Sequence, residues 1–219
     1  MMAKAQLTIS SRNYSSWSLR GWLLCRLAGL DFEEVPVSID DPDTRAELLL
    51  LSPSFLVPCL TDGGVKIWDT WSIAEYLAET FPAAGLLPAD AAGRAHCRSV
   101  SGEMHSGFHN LRSALPMNLK NRFPGFKIWA GAQPDIDRIG TIWRDCLGTY
   151  GGPFLFGARP TVADAMYAPV CGRFATYDVA LGSAESAYCQ AILNWAPMRE
   201  WVAAAANEAD ELDELDVEF

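Results

Sequence analysis

The sequence is short of positive charge and lacks the patterned cysteines and histidines that metal and dithiol chemistry need. Seventeen Lys and Arg residues stand against 27 Asp and Glu residues, a formal net charge of −10. Nucleic-acid binding rests on a basic patch, so nucleic acid is excluded as the expected partner. Much of the acidity lies in the run "NEADELDELDVEF", which reads as a solvated end. The six cysteines are Cys25, Cys59, Cys97, Cys146, Cys171 and Cys189, and the nearest two are 18 positions apart. That spacing excludes a C-x-x-C redox pair and a zinc ribbon. Several sit among apolar neighbours, where buried free thiols are expected. Two of the three histidines, His105 and His109, are four apart, but they lack the Glu of H-E-x-x-H and a third ligand. No metal is expected. No apolar run reaches membrane length, and no N-terminal run has the basic-then-apolar form of a secretory signal. The expected setting is a reducing cytoplasm, without a membrane partner.

What is present is an ordinary globular balance, half hydrophobic and one fifth charged over 219 residues. That length suits one large domain or two unequal ones. "QLTIS" reads as a strand, followed by a serine-rich turn and a helix from about Trp17 to Ala28, stopped by Gly29. "FEEVPVSI" is a second strand, and Pro42 suits the first turn of another helix. "VPCLTD" and "VKIWD" flank Gly63-Gly64 as a hairpin. A helix from Thr70 to about Thr80 completes the order β-α-β-α-β-β-α. "FPAAGLLPADAAG" then reads as a linker. Beyond it the pattern is helical: about 91–118, 134–150, a helix opened by Thr161 and Asp164 at capping-box spacing, and "APMREWVAAAANE". The expected fold is an α/β domain over residues 1–82 followed by an all-α domain over 91–219.

Four segments in this order resemble the glutathione S-transferase family, whose thioredoxin-like N-terminal domain precedes a helical one. "YSSWSLRGWLL" resembles the zeta-class serine turn, and "LVPCL" the valine–proline before the third strand. "DTWSIAEYLAE" resembles the acidic–hydroxyl pair opening the next helix, and "RPTVADAMYAP" the capping motif of the helical domain. The resemblance implies that the Val57-Pro58 bond is cis and that Val57 backbone groups pair with the cysteinyl unit of glutathione. A proline sheltering an edge strand is the structural alternative. The resemblance also implies that Thr70 holds the γ-glutamyl carboxylate, with Asp69 beside the ammonium. A helix N-terminus favours such a charge, and plain capping is the alternative.

Three hydroxyls, Ser15, Ser16 and Ser18, precede or open the first helix. Glutathione reacts as a thiolate, whereas a free thiol has a pKa of about 8.5. A hydroxyl donating to sulfur favours the anion, and each unit of lowering corresponds to about 1.4 kcal/mol. The resemblance to the zeta pattern gives Ser15 the catalytic position and makes Ser16 the second choice, with Ser18 in the first helical turn; capping is the alternative for all three. Two departures stand out: Ser54, Phe55 and Leu56 replace the Lys or Gln often found near the glycine end, and Trp17 replaces Cys.

The family fold puts "EMHSGFHNLRSALPMN" against the second substrate, with Glu103, His109 and Asn118 in the same segment. Trp17, His105, Phe108 and Arg112 are the expected pocket residues. Arg112 suits an acidic substrate, and a packed domain interface is the alternative. The implied function is a cytoplasmic, homodimeric glutathione transferase of the detoxification type, taking glutathione as co-substrate and a small electrophile. Glutathione-dependent cis–trans isomerisation of an unsaturated diacid and a non-catalytic binding module are the alternatives. A thiol reductase is disfavoured, because no cysteine occupies the serine turn.

Overall fold

A computed structural model describes residues 4–37 and 56–208. The helix expected from Pro42, together with Ser54 and Phe55, lies outside the described residues. Strands β1 (Ala5–Ile9), β2 (Phe32–Pro36), β3 (Cys59–Asp62) and β4 (Val65–Trp68) form one sheet in the order β2-β1-β3-β4. β1 runs parallel to β2 and antiparallel to β3, and β3 and β4 form the expected antiparallel hairpin. A parallel pair needs a crossover, which helix α1 (Ser16–Ala28) supplies. Leu7, Ile9 and Leu60 are fully buried in the centre of the sheet.

Helix α1 is buried on nearly every face: Leu19, Trp22, Leu23, Leu24 and Cys25, with Ser16, Ser18 and Arg20 besides. A helix apolar all round belongs between two layers. α1 packs on β1 and α2 (Thr70–Thr80), and on helices α6 (Val162–Thr176) and α8 (Ala196–Ala206) of the second half. Gly29, at φ 70°, ends it with two backbone bonds, its own N–H to Arg26 and that of Leu30 to Cys25. The left-handed conformation there costs glycine nothing.

The linker is docked on the second half, for Leu86 is buried and its carbonyl accepts the Val162 N–H at 2.9 Å. The helical stretch expected over 91–118 is two helices, α3 (Ala91–Ser106) and α4 (His109–Ala114), followed by irregular chain. Gly107 leaves the helix and Phe108 turns into the left-handed region at φ 59°, with its ring 7% exposed in the core. Burial of that ring sets the break. His105 and His109 therefore do not share a helix face, a correction to their spacing-based reading. Helix α5 (Gln133–Tyr150) follows, then α6, then α7 (Ser183–Asn194), which the pattern analysis missed. α7 opens at Gly182 without a side-chain cap, although Glu185, Tyr188, Cys189 and Ile192 are buried at helical spacing. All six cysteines are free and buried, as expected.

α6 is the central post of the second half, with almost every residue buried. Thr161 and Asp164 form the expected capping box. The Asp164 carboxylate, 0% exposed, accepts from Leu155 N–H (3.0 Å), Thr161 N–H (2.7 Å) and the Thr161 hydroxyl (3.0 Å). Burial pushes its pKa up to about 6. Asp164→Ala would strand buried donors at about 1–3 kcal/mol each. The variant should unfold at clearly lower temperature or denaturant, with turnover per folded molecule preserved. Lost turnover at unchanged stability would refute a purely structural role.

Candidate active site

The turn before α1 is held by its own hydroxyls. Ser11 Oγ accepts from the backbone of Asn13 (3.1 Å) and Tyr14 (3.2 Å), and Ser11 O accepts the Ser15 N–H at 3.0 Å. Ser15 is the N-cap: its Oγ accepts the Ser18 N–H at 3.2 Å and donates to Ser18 Oγ at 2.9 Å. Ser18 Oγ, buried, also accepts the Ser10 N–H at 3.0 Å. Ser16, 7% exposed, begins the helix, and its hydroxyl makes no hydrogen bond among the described residues. The three serines thus divide into a cap, an unengaged hydroxyl and a buried hub. Glu208, in the run read as solvated, is instead folded onto this turn. Its carboxylate accepts from Ser11 Oγ, Arg12 N–H and Asn13 N–H.

The Val57-Pro58 bond is cis. Pro58 is buried against α1, where a Cβ on Gly21 would stand 2.5 Å from its ring, so glycine is required for the approach. Val57 lies just outside the ladder, which begins at Cys59. Asp69 is the N-cap of α2, at φ 74°, with Oδ1 accepting from Trp71 N–H (2.8 Å) and Ser72 N–H (3.4 Å). A non-glycine residue at positive φ is strained, and the capping bonds hold it there. Thr70 is 1% exposed.

His105 ties α3 to this helix start. Its Nε2 is 3.2 Å from Asp69 Oδ2 and its Nδ1 is 3.3 Å from Thr70 Oγ1. With the proton on Nε2 directed at the carboxylate, Nδ1 accepts from the Thr70 hydroxyl. The His105 ring also meets Trp17 edge-on, with centroids 5.3 Å apart. Arg20 (4.6 Å) and Arg112 (4.7 Å) each bring a guanidinium over the Trp17 ring. The start of α1, the start of α2 and the end of α3 therefore converge, and His105 faces the Asp69–Thr70 pair as well as Trp17. Phe108 is buried in the hydrophobic core cluster.

Arg20 and Arg173, which the sequence reading passed over, complete a cluster with Arg112. Arg20 donates to Met166 O at 2.8 Å, Arg112 to the Met104 and His105 carbonyls, and Arg173 to the Leu115 and Arg112 carbonyls. Among the described residues none of the three pairs with a carboxylate. Burial and mutual repulsion hold Arg20 well below the usual arginine range and push Arg173 down to about 10; burial lowers Arg112. Arg20 Nη1 and Arg112 Nε are buried without a hydrogen-bond partner. Glu103 is turned away from the cluster to Arg138, at 2.6 and 2.8 Å. No local motif marks such a cluster, because its members are far apart in the chain.

Among the described residues no helix is long and apolar enough to cross a membrane. Residues 14–80 match the family described as glutathione S-transferase, N-terminal domain, and residues 108–206 match its C-terminal domain. The chain is 30% identical over 162 residues to a protein of Caenorhabditis elegans named probable maleylacetoacetate isomerase, covering 73% of each chain. It is 33% identical over 170 residues to the zeta-class glutathione S-transferase of Euphorbia esula, covering 76% of this chain and 75% of that one. A glutathione transferase homologue from Burkholderia, solved with bound glutathione, has the same fold at 20% identity. Its TM-score is 0.71, over 94% of this chain and 100% of the other. A maleyl pyruvate isomerase described as a bacterial zeta-class enzyme superposes with a TM-score of 0.69 at 23% identity, over 94% and 100%. The sheet order, the paired helix starts and these matches agree: the chain belongs to the glutathione S-transferase family.

Proposed function

We propose that the protein is a glutathione-dependent enzyme in which residues 1–82 hold reduced glutathione and residues 91–219 close the second-substrate pocket. The carrying observation is the convergence of the α1 and α2 N-termini across Trp17 and His105. Two helix starts offer N–H groups and positive dipole ends to one tripeptide that carries a carboxylate and a thiolate. The γ-glutamyl carboxylate would lie on Thr70, the ammonium beside Asp69, and the cysteinyl backbone along Val57. A cytoplasmic homodimer is part of the reading; the dimer rests on the family likeness and the reducing compartment on the six free, buried cysteines.

Ser15 is the proposed thiol donor. Capping uses one of its lone pairs, while its proton goes to Ser18 Oγ, which the Ser10 N–H also satisfies. Turning that proton to sulfur therefore leaves both the cap and Ser18 supported. Ser16, with an unengaged hydroxyl, is the alternative donor. The thiolate would then attack a small electrophile held beside the Trp17–Arg112 pair.

The arginine cluster favours an anionic second substrate, since buried guanidinium groups without carboxylates attract one. This supports the isomerase reading, as do the relatives named maleylacetoacetate isomerase. In that chemistry the thiolate adds to one carbon of the double bond and the remaining single bond rotates. The thiolate then leaves, regenerating both the double bond and glutathione. Glutathione bound without turnover of haloarenes, epoxides, hydroperoxides or unsaturated diacids would instead indicate a binding module.

Loss of a hydrogen bond to a charged group is worth about 1.5–3 kcal/mol. Ser15→Ala should therefore raise the pKa of bound glutathione by about 1–2 pH units, read from its ultraviolet thiolate absorbance. Turnover should fall near neutrality and recover in alkali, which a covalent serine nucleophile could not do. An unmoved titration in both Ser15→Ala and Ser16→Ala would leave the serines as caps. Thr70→Ala should raise the glutathione KM by about tenfold at nearly constant kcat. An unchanged KM in a folded variant would remove Thr70 from the site.

A further inference from the structure

We infer that Glu208 is a positioning residue for the thiol-activating serine, an inference that rests on the proposed role of the serine turn. Its side chain is 15% exposed and reaches the turn across almost the whole sequence. Oε1 accepts the Arg12 N–H at 2.9 Å, and Oε2 accepts the Ser11 hydroxyl at 2.7 Å and the Asn13 N–H at 3.1 Å. Bonds to a carboxylate are about twice as strong as neutral ones. The Ser11 proton is therefore fixed toward Glu208, which orients the Ser11 lone pairs toward the Asn13 and Tyr14 N–H groups. Ser11 O then holds the Ser15 N–H. One carboxylate thus sets the path from Ser11 to the N-cap that presents Ser15.

Neighbouring contacts hold the Glu208 backbone and the turn it meets. Lys120 Nζ donates to the Glu208 carbonyl, Trp201 Nε1 donates to Arg12 O at 2.9 Å, and Arg12 pairs with Glu34. Asn13 Oδ1 accepts from Leu119 N–H at 2.6 Å and Lys120 N–H at 3.0 Å. The second half of the chain therefore grips the turn at three points, through Glu208, Trp201 and the Leu119-Lys120 backbone, and Glu208 is the one that reaches Ser11. A glutamine would keep one acceptor oxygen but turn an NH2 group toward the turn's donors.

The test uses the full chain with Glu208→Ala and Glu208→Gln, beside Ser15→Ala and Ser16→Ala, and titrates the thiolate absorbance of bound glutathione. Glu208→Ala is expected to lower the thiolate fraction at neutral pH by about three- to tenfold, with glutathione Kd changed less. Glu208→Gln should fall between Ala and the unaltered chain, and it carries the test if the Ala variant does not fold. Hydrogen exchange of the 11–16 amides should quicken in the same order. An unmoved titration in the Glu208 variants, with Ser15→Ala or Ser16→Ala displaced, overturns the inference and leaves the serine reading intact. If neither serine variant moves the titration, the serine reading falls and takes the inference with it.

Discussion

Helix α1 has almost no free flank among the described residues: the sheet and α2 cover one side, and α6 and α8 the other. A helix buried in this way can offer a ligand only its ends. At its C-terminal end the Gly29 and Leu30 N–H groups close on the Arg26 and Cys25 carbonyls, which leaves the N-terminal end to face the proposed ligand. The serines, Trp17 and the carboxylate of Glu208 all gather there. Gly21 follows from the same constraint, because only a residue without Cβ lets Pro58 lie against the helix. The joint between the two halves and the candidate active site are therefore one feature.

The electrostatics of the site divide along that joint. On the sheet side, helix starts provide backbone N–H groups and one carboxylate, Asp69, suited to a zwitterionic peptide end. On the helical side stand Arg112 and Arg173, joined by Arg20 of α1 reaching across to Met166 O, and none of the three has an acidic partner among the described residues. Burial depresses the pKa of all three, and repulsion among them adds to it at Arg20 and Arg173. A bound anion would relieve the repulsion, which gives the fold a physical reason to favour one. Trp17 and His105 lie between the two fields and touch both.

Local motifs were legible in the sequence wherever the physics was local. The helix Thr70–Thr80, its Asp69 cap, the Gly63-Gly64 hairpin, the Thr161–Asp164 box and the cis Val57-Pro58 bond all lie where pattern and resemblance put them. The break at Gly107 was not legible, since burial of the Phe108 ring is a tertiary demand that no local pattern carries. α7 escaped notice for want of a capping side chain. The arginine cluster and Glu208 depend on partners distant in sequence, and Glu208 was concealed further by an acidic run that composition assigns to solvent. Ser15 and Ser16 were picked out together, but only the hydrogen-bond network separates a committed cap from an unengaged hydroxyl.

The central claim is that reduced glutathione binds where the starts of α1 and α2 meet, and the most direct measurement is a crystal structure of the chain with it. The account predicts the sulfur within hydrogen-bond reach of the Ser15 or Ser16 hydroxyl. It also predicts the γ-glutamyl carboxylate on Thr70 and the cysteinyl backbone paired with Val57. A tripeptide bound elsewhere, or one whose sulfur approaches neither serine, would contradict it.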